Sequence, residues 1–296
     1  MSQQPFASVI IPVYNNAATL GEVLGALGRQ SYPKDRYEVI VVDNMSTDGS
    51  RSVAGKFPVK LVHERDRQSS YAARNKGMDE AKGDYFCFLD GDCVADPDWL
   101  RGGISAMVEA GADLAGGRID VVPSGRGALL AHYERLSYFR QEDFIREHGT
   151  AAGANLWLSR RAVEAMGPFR DDLESGGDGE ICIRGRRNGF SIVYAQGAAV
   201  SHRAVGRVIT LLKRYHRVGK GEAHIARHQV DPIRAEGSSI WSRKAAYLRR
   251  VWAAKEISPI ERLGVMALNA LASVAQVLGY LEGRRDAPRS PVDRSA

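Results

Sequence analysis

The first ninety residues alternate between short apolar runs and longer stretches with helical periodicity. Each apolar run is rich in β-branched and aromatic residues, which is typical of a buried parallel strand. The predicted strands span residues 9–13, 39–42, 59–62 and 85–89, and helix-like stretches lie between them at 19–30, 47–56 and 69–82. Alternation of this kind predicts right-handed βαβ crossovers and therefore an α/β fold with a doubly wound, mostly parallel sheet flanked by helices.

The pattern changes after the fourth predicted strand. Residues 116–149 look irregular, apart from one helical stretch over 128–146. Residues 155–158 and 192–194 are predicted strands, whereas 160–166 and 178–188 are predicted helices. Gly189 follows the last of these, in the position where glycine commonly ends a helix.

The C-terminal segment 263–281 carries no formal charge and approaches the length that crosses a bilayer. Polar residues at helical spacing form one stripe, namely Asn269, Ser273, Gln276 and Tyr280. The opposite face is apolar and comprises Leu263, Met266, Ala270, Leu271, Val274, Val277, Leu278 and Leu281. Such a helix either packs on the domain or lies in a membrane interface. Basic residues upstream favour peripheral contact with an anionic membrane over a true span; they are Arg243, Lys244, Arg249, Arg250 and Lys255.

Composition adds constraints on partners and compartment. The chain has 296 residues, of which 44% are hydrophobic and 26% charged, values that indicate a globular protein. Its net charge of +6 is concentrated between His202 and Lys255, where phosphates, nucleic acid or anionic lipid could bind, or where a helical face is simply solvated. Nucleic acid is not a predicted partner, because aromatic residues do not interleave the basic block. Three cysteines without a CxxC motif, and an N-terminus unlike a signal peptide, favour the cytoplasm.

Polar residues directly follow each of the first four predicted strands. They are Tyr14 and Asn15, Asp43 and Asn44, Glu64 and Arg65, and Asp90, Gly91 and Asp92. In a doubly wound sheet, ligands bind beyond the carboxyl ends of the strands. These side chains, although distant in sequence, are therefore expected to meet at one edge of the sheet.

Asp90-Gly91-Asp92 is the strongest candidate for metal chemistry. Two carboxylates two residues apart repel each other unless a cation or a hydrogen-bond donor lies between them. A hard divalent ion resolves that repulsion and can bind a diphosphate at the same time. The alternative is a polar turn, since Asp-Gly is a common turn pair.

The other candidates each have a structural alternative. Asp43 and Asn44 suit recognition of a base or ribose, but this turn could instead cap the next helix through Ser46 or Asp48. Arg74 could reach donor phosphates or form a surface ion pair. Asp178, in the glycine-rich acidic loop 174–180, lies at a helix N-terminus, where the helix dipole favours a carboxylate. His202 is either a metal ligand or an ordinary histidine at a strand end.

Taken in order, these motifs resemble glycosyltransferase family 2, whose members have the GT-A fold. The resemblance covers about residues 6–205 and rests on segments 8–15, 41–50, 73–77, 81–85, 89–92, 153–155, 167–169 and 176–184. It implies a nucleotide-sugar site formed by Pro12, Tyr14, Asn15, Asp43, Asn44, Arg74, Asp90 and Gly91. It also implies Asp92 and His202 as ligands of Mn²⁺ or Mg²⁺, and Asp178 as the general base. One departure is Gly177, where the family commonly has Glu; Glu180 is the candidate substitute.

The resemblance implies an inverting transfer from a nucleotide-diphosphate sugar, with UDP as the expected nucleotide, to an acceptor hydroxyl. A saccharide or lipid-linked acceptor in cell-surface polysaccharide or glycolipid synthesis would suit an enzyme on the cytoplasmic face of the inner membrane. The alternative function is non-catalytic nucleotide-sugar binding. A pyrophosphorylase is disfavoured, because no glycine-rich loop with a basic residue follows the first strand. The expected domains are a catalytic domain at 6–205 (nucleotide-binding half 6–92, acceptor half 93–205), a basic helical extension at 206–283 and a disordered tail at 284–296.

Overall fold

The computed structural model describes residues 4–125, 128–227 and 240–285, with the side chains of 240–245 excepted. Its strands form a single sheet. They are β1 (Ala7–Val13), β2 (Tyr37–Asp43), β3 (Lys60–His63), β4 (Tyr85–Leu89), β5 (Cys93–Ala95), β6 (Leu114–Val122), β7 (Asn155–Ser159) and β8 (Ile192–Arg203). Their order across the sheet is β3-β2-β1-β4-β7-β6-β8-β5.

Six of these eight described strands run in one direction, and only β7 and β5 are antiparallel to their neighbours. The prediction of a mostly parallel, doubly wound α/β sheet is therefore confirmed. The described helices are α1 (Ala17–Gly28), α2 (Ser50–Ala54), α3 (Ser70–Asp79), α4 (Trp99–Ala110), α5 (Ala128–Ser137), α6 (Gln141–His148), α7 (Arg160–Met166), α8 (Gly177–Arg187), α9 (Val208–Arg227), α10 (Ile240–Ala253) and α11 (Pro259–Arg285).

The apolar runs of the central strands serve two separate cores. On β1, Val9 and Ile11 join a cluster with α1 and α4, whereas Ile10 joins a cluster with α3, α7 and α8 on the other face. Phe86 and Phe88 of β4 lie in this second cluster, and their neighbours in the strand lie in the first. Alternating side chains of a strand point to opposite faces, so only a continuously apolar strand can fill both cores.

The middle of the chain differs from the prediction. Residues 114–122 form a full strand, because Gly116 and Gly117, which weaken the sequence signal for a strand, allow a close approach of neighbouring chains. A Cβ at Gly117 would overlap the Ala198 carbonyl oxygen of β8. The predicted helix over 128–146 is two helices, α5 and α6, interrupted at residues 138–140. The strand predicted at 192–194 continues to Arg203, and the short strand β5 was not predicted.

The C-terminal helices form a third apolar cluster together with α5. It includes Leu130 and Tyr133 of α5, Leu211 of α9, Tyr247 of α10 and Val265 of α11. The predicted C-terminal helical extension is thus present. Arg284 and Arg285 belong to α11 rather than to a disordered tail, and residues 286–296 lie outside the described part of the chain.

A helix in a protein core normally buries its most apolar face, but α11 buries the opposite face. Its buried positions are Val265, Leu268, Ala272, Gly279 and Gly283. The large apolar residues face outward, and Leu263, Leu271, Val274, Val277, Leu278 and Leu281 are each at least 50% exposed. The helix thus packs on α5, α9 and α10 through its buried face, while its apolar face points outward. The helix is long and apolar enough to cross a membrane, with a mean hydropathy of 1.5 over its most apolar window.

We expect Gly279→Ala to lower the free energy of unfolding by about 1–3 kcal/mol, the usual cost of overfilling a packed contact. The added Cβ would overlap the His216 carbonyl oxygen, a backbone atom of α9 that cannot move independently. Urea denaturation measures the effect. Gly28→Ala is the matched control, because a Cβ at Gly28 meets nothing within 4 Å. Equal stability of the two variants would show that α11 is not held in this contact.

Candidate active site

The turns after β1 and β2 are joined at the carboxyl edge of the sheet. The Asn44 backbone N–H donates to the Val13 carbonyl at 2.7 Å. Asn15, in the left-handed region at φ +56°, donates its N–H to the Ser46 hydroxyl at 3.1 Å, and its side-chain oxygen accepts from the Thr47 N–H at 2.9 Å. Asparagine tolerates this conformation better than most residues. The two predicted nucleoside-binding turns are therefore a single structural unit.

This unit also contacts the turn after β4. The Thr19 hydroxyl, in the first turn of α1, donates to the Gly91 carbonyl at 2.8 Å. Pro12 is half-buried in β1, whereas the Tyr14 side chain is 50% exposed. The predicted nucleotide-binding residues Pro12, Tyr14, Asn15 and Gly91 thus lie along one edge, and Tyr14 is open to a ligand.

Asp43 and Asn44 are more buried than a simple ligand-binding role suggests. Each is only 3% exposed. The Asp43 carboxylate accepts from the Ser46 N–H at 3.3 Å and lies 3.6 Å from both Arg51 and His63. The Asn44 amide donates to the Ser69 carbonyl at 2.7 Å. Both side chains therefore stabilise the local turn, as the structural alternative allowed.

Neither Ser46 nor Asp48 occupies the N-cap position suggested for it. Gly49, rather than either of them, occupies the N-cap of α2. The Asp48 carboxylate accepts from the Ser50 N–H at 2.9 Å and from the Ala17 N–H, at the start of α1, at 3.0 Å. These hydrogen bonds, with that of the Ser50 hydroxyl first, hold the pKa of Asp48 below its usual value.

Arg74 forms a buried ion pair with Asp90. The guanidinium, on α3, is 2.7 Å from the Asp90 carboxylate, and its side chain is only 5% exposed. It also lies over the rings of Tyr71 and Phe169, at 5.7 and 5.8 Å from their centroids. Desolvation by the surrounding protein raises the pKa of Asp90. The positive charge of Arg74 opposes this shift, and the negative charge of Asp92 adds to it. The alternative of a surface ion pair for Arg74 is wrong.

Asp92 and His202, the two residues predicted to bind a metal, lie side by side. The Asp92 carboxylate oxygen lies 3.5 Å from His202 Nδ1, and the Cys93 sulfur lies 3.5 Å from the same nitrogen. Desolvation acts to raise the pKa of Asp92, but the hydrogen bond and charge of His202, assisted by Arg214, outweigh it and lower the pKa. Burial raises the pKa of the Cys93 thiol well above its usual value.

These residues fit a hard divalent cation. Asp92 remains 38% exposed and can present an oxygen to an ion, and Asp90 beside it is 37% exposed. His202 is buried, and its Nε2 has no hydrogen-bond partner among the described residues. The oxygen-rich pair with one imidazole suits Mn²⁺ or Mg²⁺, whereas a protonated thiol is a poor ligand for either.

Asp178 lies at the N-terminus of α8, and Gly153 lies between it and the ion pair of Arg74 and Asp90. Its carboxylate accepts from the Gly153 N–H at 2.9 Å and from the Gly179 N–H at 3.1 Å. A Cβ at Gly153 would lie only 2.9–3.2 Å from the Arg74 guanidinium. The backbone at Gly153 therefore separates Asp178 from Arg74, and the charge of Asp178 contributes to the raised pKa of Asp90.

Glu180 does not replace the missing acidic residue at position 177. It is 4% exposed, and both of its oxygens accept from Arg184 at 2.9 Å. Arg184 in turn donates to the Gly167 and Pro168 carbonyls. Glu180 thus fixes the start of α8 to the preceding turn, and Asp178 is the acidic residue of this motif that lies beside Arg74.

Sequence reasoning missed several residues around Asp92 and His202. The Phe139 ring packs on His202 at 4.4 Å between centroids. Arg214 of α9 pairs with the fully buried Glu134 and lies 5.0 Å from the centroid of the Tyr138 ring. Arg214 belonged to the predicted basic block, but nothing in its sequence context distinguishes it from its neighbours. Only the folded position of α9 identifies it.

The edge of the sheet that carries Asp90, Asp92 and Asp178 (the acidic edge) is distinct from a 570 Å³ cavity elsewhere on the protein. That cavity is lined in part by Asp84 and Tyr85, at the beginning of β4, and by Arg160 and Arg161. Asp90 follows the other end of the same strand. The candidate residues thus surround the open carboxyl edge, where ligands bind in sheets of this class.

Comparison with known proteins now identifies the class. Residues 8–167 match the family described as Glycosyl transferase family 2. The chain is 37% identical over 231 residues to Glycosyltransferase AglE from Haloferax volcanii, covering 76% of this chain and 75% of that protein. It is 26% identical over 222 residues to the probable glycosyltransferase YdaM from Bacillus subtilis, covering 67% of this chain and half of YdaM. The chain belongs to glycosyltransferase family 2.

Solved structures support the same fold. A mannosyltransferase from Pyrobaculum calidifontis, in complex with GDP-Man and Mn²⁺, superposes with a TM-score of 0.63 at 20% identity, covering 96% of this chain and 86% of that one. Staphylococcus aureus TarS 1–349 in complex with UDP-GlcNAc gives 0.53 at 17% identity, covering 94% and 90%. The chain therefore has the GT-A fold that the sequence predicted.

We expect Gly221→Ala to reduce turnover about 10–100-fold, because small displacements of reacting groups have effects of this size. A Cβ on this α9 residue would overlap the Ser175 carbonyl oxygen, in the loop that leads to Asp178. Steady-state kinetics should show a lower kcat with little change in KM for the donor. Gly28→Ala, in open space, is the control. Unchanged kcat in Gly221→Ala would show that this loop does not set the position of Asp178.

Proposed function

We propose that this protein is an inverting, metal-dependent transferase that moves a sugar from a nucleotide-diphosphate sugar, with UDP as the expected nucleotide, to an acceptor hydroxyl. One observation carries the proposal: Arg74 pairs directly with Asp90, Gly153 lies between Arg74 and Asp178, and Asp92 follows Asp90 beside His202. This arrangement supports a base, a phosphate-binding cation and metal-binding oxygens at one edge of the sheet.

In this proposal Asp178 is the general base. It accepts the proton of the acceptor hydroxyl while that oxygen forms a bond to the anomeric carbon, and the bond from this carbon to the nucleoside diphosphate breaks. A single displacement inverts the anomeric configuration. The N–H groups of Gly153 and Gly179 hold the carboxylate in place and leave its remaining lone pairs for the acceptor. General base catalysis of this kind contributes about 10²–10⁴-fold.

The remaining residues bind the donor. Tyr14 is exposed beside the β1–β2 turns and offers its ring to the base, with Pro12, Asn15, Asp43 and Asn44 forming the wall behind it. Arg74, Asp90 and Gly91 would bind the diphosphate, and Asp92 and His202 would hold Mn²⁺ or Mg²⁺. When bound, this cation neutralises charge on the departing diphosphate.

The acceptor and the location follow from the helical extension. We propose a saccharide or lipid-linked acceptor used in cell-surface polysaccharide or glycolipid synthesis. The enzyme would act in the cytoplasm, at the inner membrane, with residues 6–205 as its catalytic domain and 206–283 as its extension. The exposed apolar face of α11 supports this location. Non-catalytic nucleotide-sugar binding is the weaker alternative, because the chain has candidates both for a base and for a pair of metal ligands.

Asp92→Asn should reduce metal-dependent donor hydrolysis and transfer at least 100-fold at saturating donor, since it removes the charged ligand beside His202. Activity assays with a panel of nucleotide sugars, with Mn²⁺, Mg²⁺ or EDTA, provide the measurement. Cys93→Ser is the matched control, because the neighbouring thiol is protonated and we expect its loss to leave metal dependence unchanged. Full activity of wild type in EDTA would refute the metal role.

Asp178→Asn should abolish transfer while preserving donor binding, with kcat falling about 10²–10⁴-fold. The amide retains a carbonyl oxygen for a backbone N–H but cannot accept the acceptor proton. Asp171→Asn is the control, since this 46% exposed carboxylate only pairs with Arg67 at 3.1 Å. Donor affinity is measured by isothermal titration calorimetry. Wild-type turnover in Asp178→Asn would refute the base assignment and leave the binding-protein alternative.

A further inference from the structure

The contact between α9 and α11 fixes which side of α11 faces outward. A Cβ at Gly219 would overlap the Gln276 carbonyl oxygen, and a Cβ at Gly279 would overlap the His216 carbonyl oxygen. The two backbones therefore touch. Rotating the apolar face of α11 inward would place large side chains where only glycine fits, so the helix cannot bury that face without leaving α9.

The outer face of α11 is a continuous apolar stripe. Leu271, Val274 and Leu278 are 50%, 59% and 55% exposed, and they recur at the spacing of helical turns. With 27 residues the helix is about 40 Å long, and the stripe extends over most of that length. No part of the chain that the structure describes covers it. Contiguous apolar surfaces of this size mark interaction sites.

The composition of the surroundings points to a lipid surface. Trp252 of α10 is 63% exposed and lies against the Arg262 guanidinium at 5.4 Å, an arrangement suited to the boundary between headgroups and acyl chains. Arg249, Lys255, Arg284 and Arg285 are all exposed near the ends of α10 and α11. Cations that flank an apolar stripe complement anionic headgroups.

Helix α9 excludes a membrane-spanning orientation. It packs along α11 and carries Lys213, Arg214, Arg217 and Lys220. If α11 crossed the bilayer with α9 still packed on it, these cations would enter the hydrocarbon, where charged side chains are strongly disfavoured. An orientation parallel to the membrane surface immerses the outer stripe and leaves α9 in water.

We propose that α11 lies in the plane of an anionic membrane, with its outer stripe among the acyl chains and α9 on the aqueous side. This deepens the proposed function by defining how the enzyme meets its membrane. Since α9 also packs against the Ser175 backbone in the loop before Asp178, this orientation would set the height of that loop above the lipid surface.

The test measures cosedimentation of the full chain with vesicles of phosphatidylcholine alone or mixed with phosphatidylglycerol, without donor. We expect binding to the mixed vesicles and at least tenfold weaker binding of Val274→Glu and of the double variant Val274→Glu/Leu278→Glu. Val108→Glu is the matched control, since Val108 is similarly exposed (55%) but lies on α4. Circular dichroism checks that all variants fold.

Three outcomes would overturn the proposal. They are absence of vesicle binding by the wild type, a dimer in solution whose interface is lost in Val274→Glu without any vesicle binding, and unchanged binding of the double variant. Retention of bound protein after alkaline carbonate extraction would indicate a span and refute the in-plane orientation. Donor hydrolysis separates this proposal from the proposed function. Val274→Glu should retain donor hydrolysis. If no protein hydrolysed the donor, including the wild type, that result would count against the enzyme assignment alone.

Discussion

The buried guanidinium of Arg74 is the interaction on which the candidate site depends. A cation removed from water is costly unless it is paired and hydrogen-bonded, and Asp90 supplies the opposite charge. The Gly153 backbone approaches the same guanidinium and donates to Asp178 from its other side. Arg74 therefore connects the turn that carries Asp90 with the Gly153 backbone that holds Asp178, although it comes from a helix rather than from either acidic turn.

The sequence predicted this edge of the sheet well because its signals are local. A run such as Val39–Val42 identifies a buried strand, and the polar residue that follows marks its end. Parallel topology then places Asp43, Asp90 and Asn15 together without further information. What the pattern could not supply was orientation. Asp43 ends β2 and Asn44 follows it, but their side chains turn inward to the loops beside them.

The remaining errors came from contacts between distant segments. Phe139 lies in the break between two helices, and its contact with His202 exists only because β8 passes beneath it. Periodicity predicted the two faces of α11, and the favoured contact with a membrane implied an outward apolar face. The sequence did not show what packs against the other face. Hydrophobicity alone favours burial of the larger apolar face. Here the close backbone contact of Gly219 and Gly279 selects the other face, and such a contact between separate helices has no signature in either sequence segment.

Helix α9 connects these parts of the protein. Its Arg214 influences Asp92, its Gly221 packs against the Ser175 backbone, and its Gly219 packs against α11. Helix α9 therefore touches both α11 and the loop before Asp178. Side-chain contacts cross the domain boundary predicted after residue 205. The buried carboxylate of Glu134, before this boundary, pairs with Arg214, which lies after it. Helix α9 of the extension thus supplies the charged partner of Glu134, and removing it would leave this buried carboxylate without its ion pair.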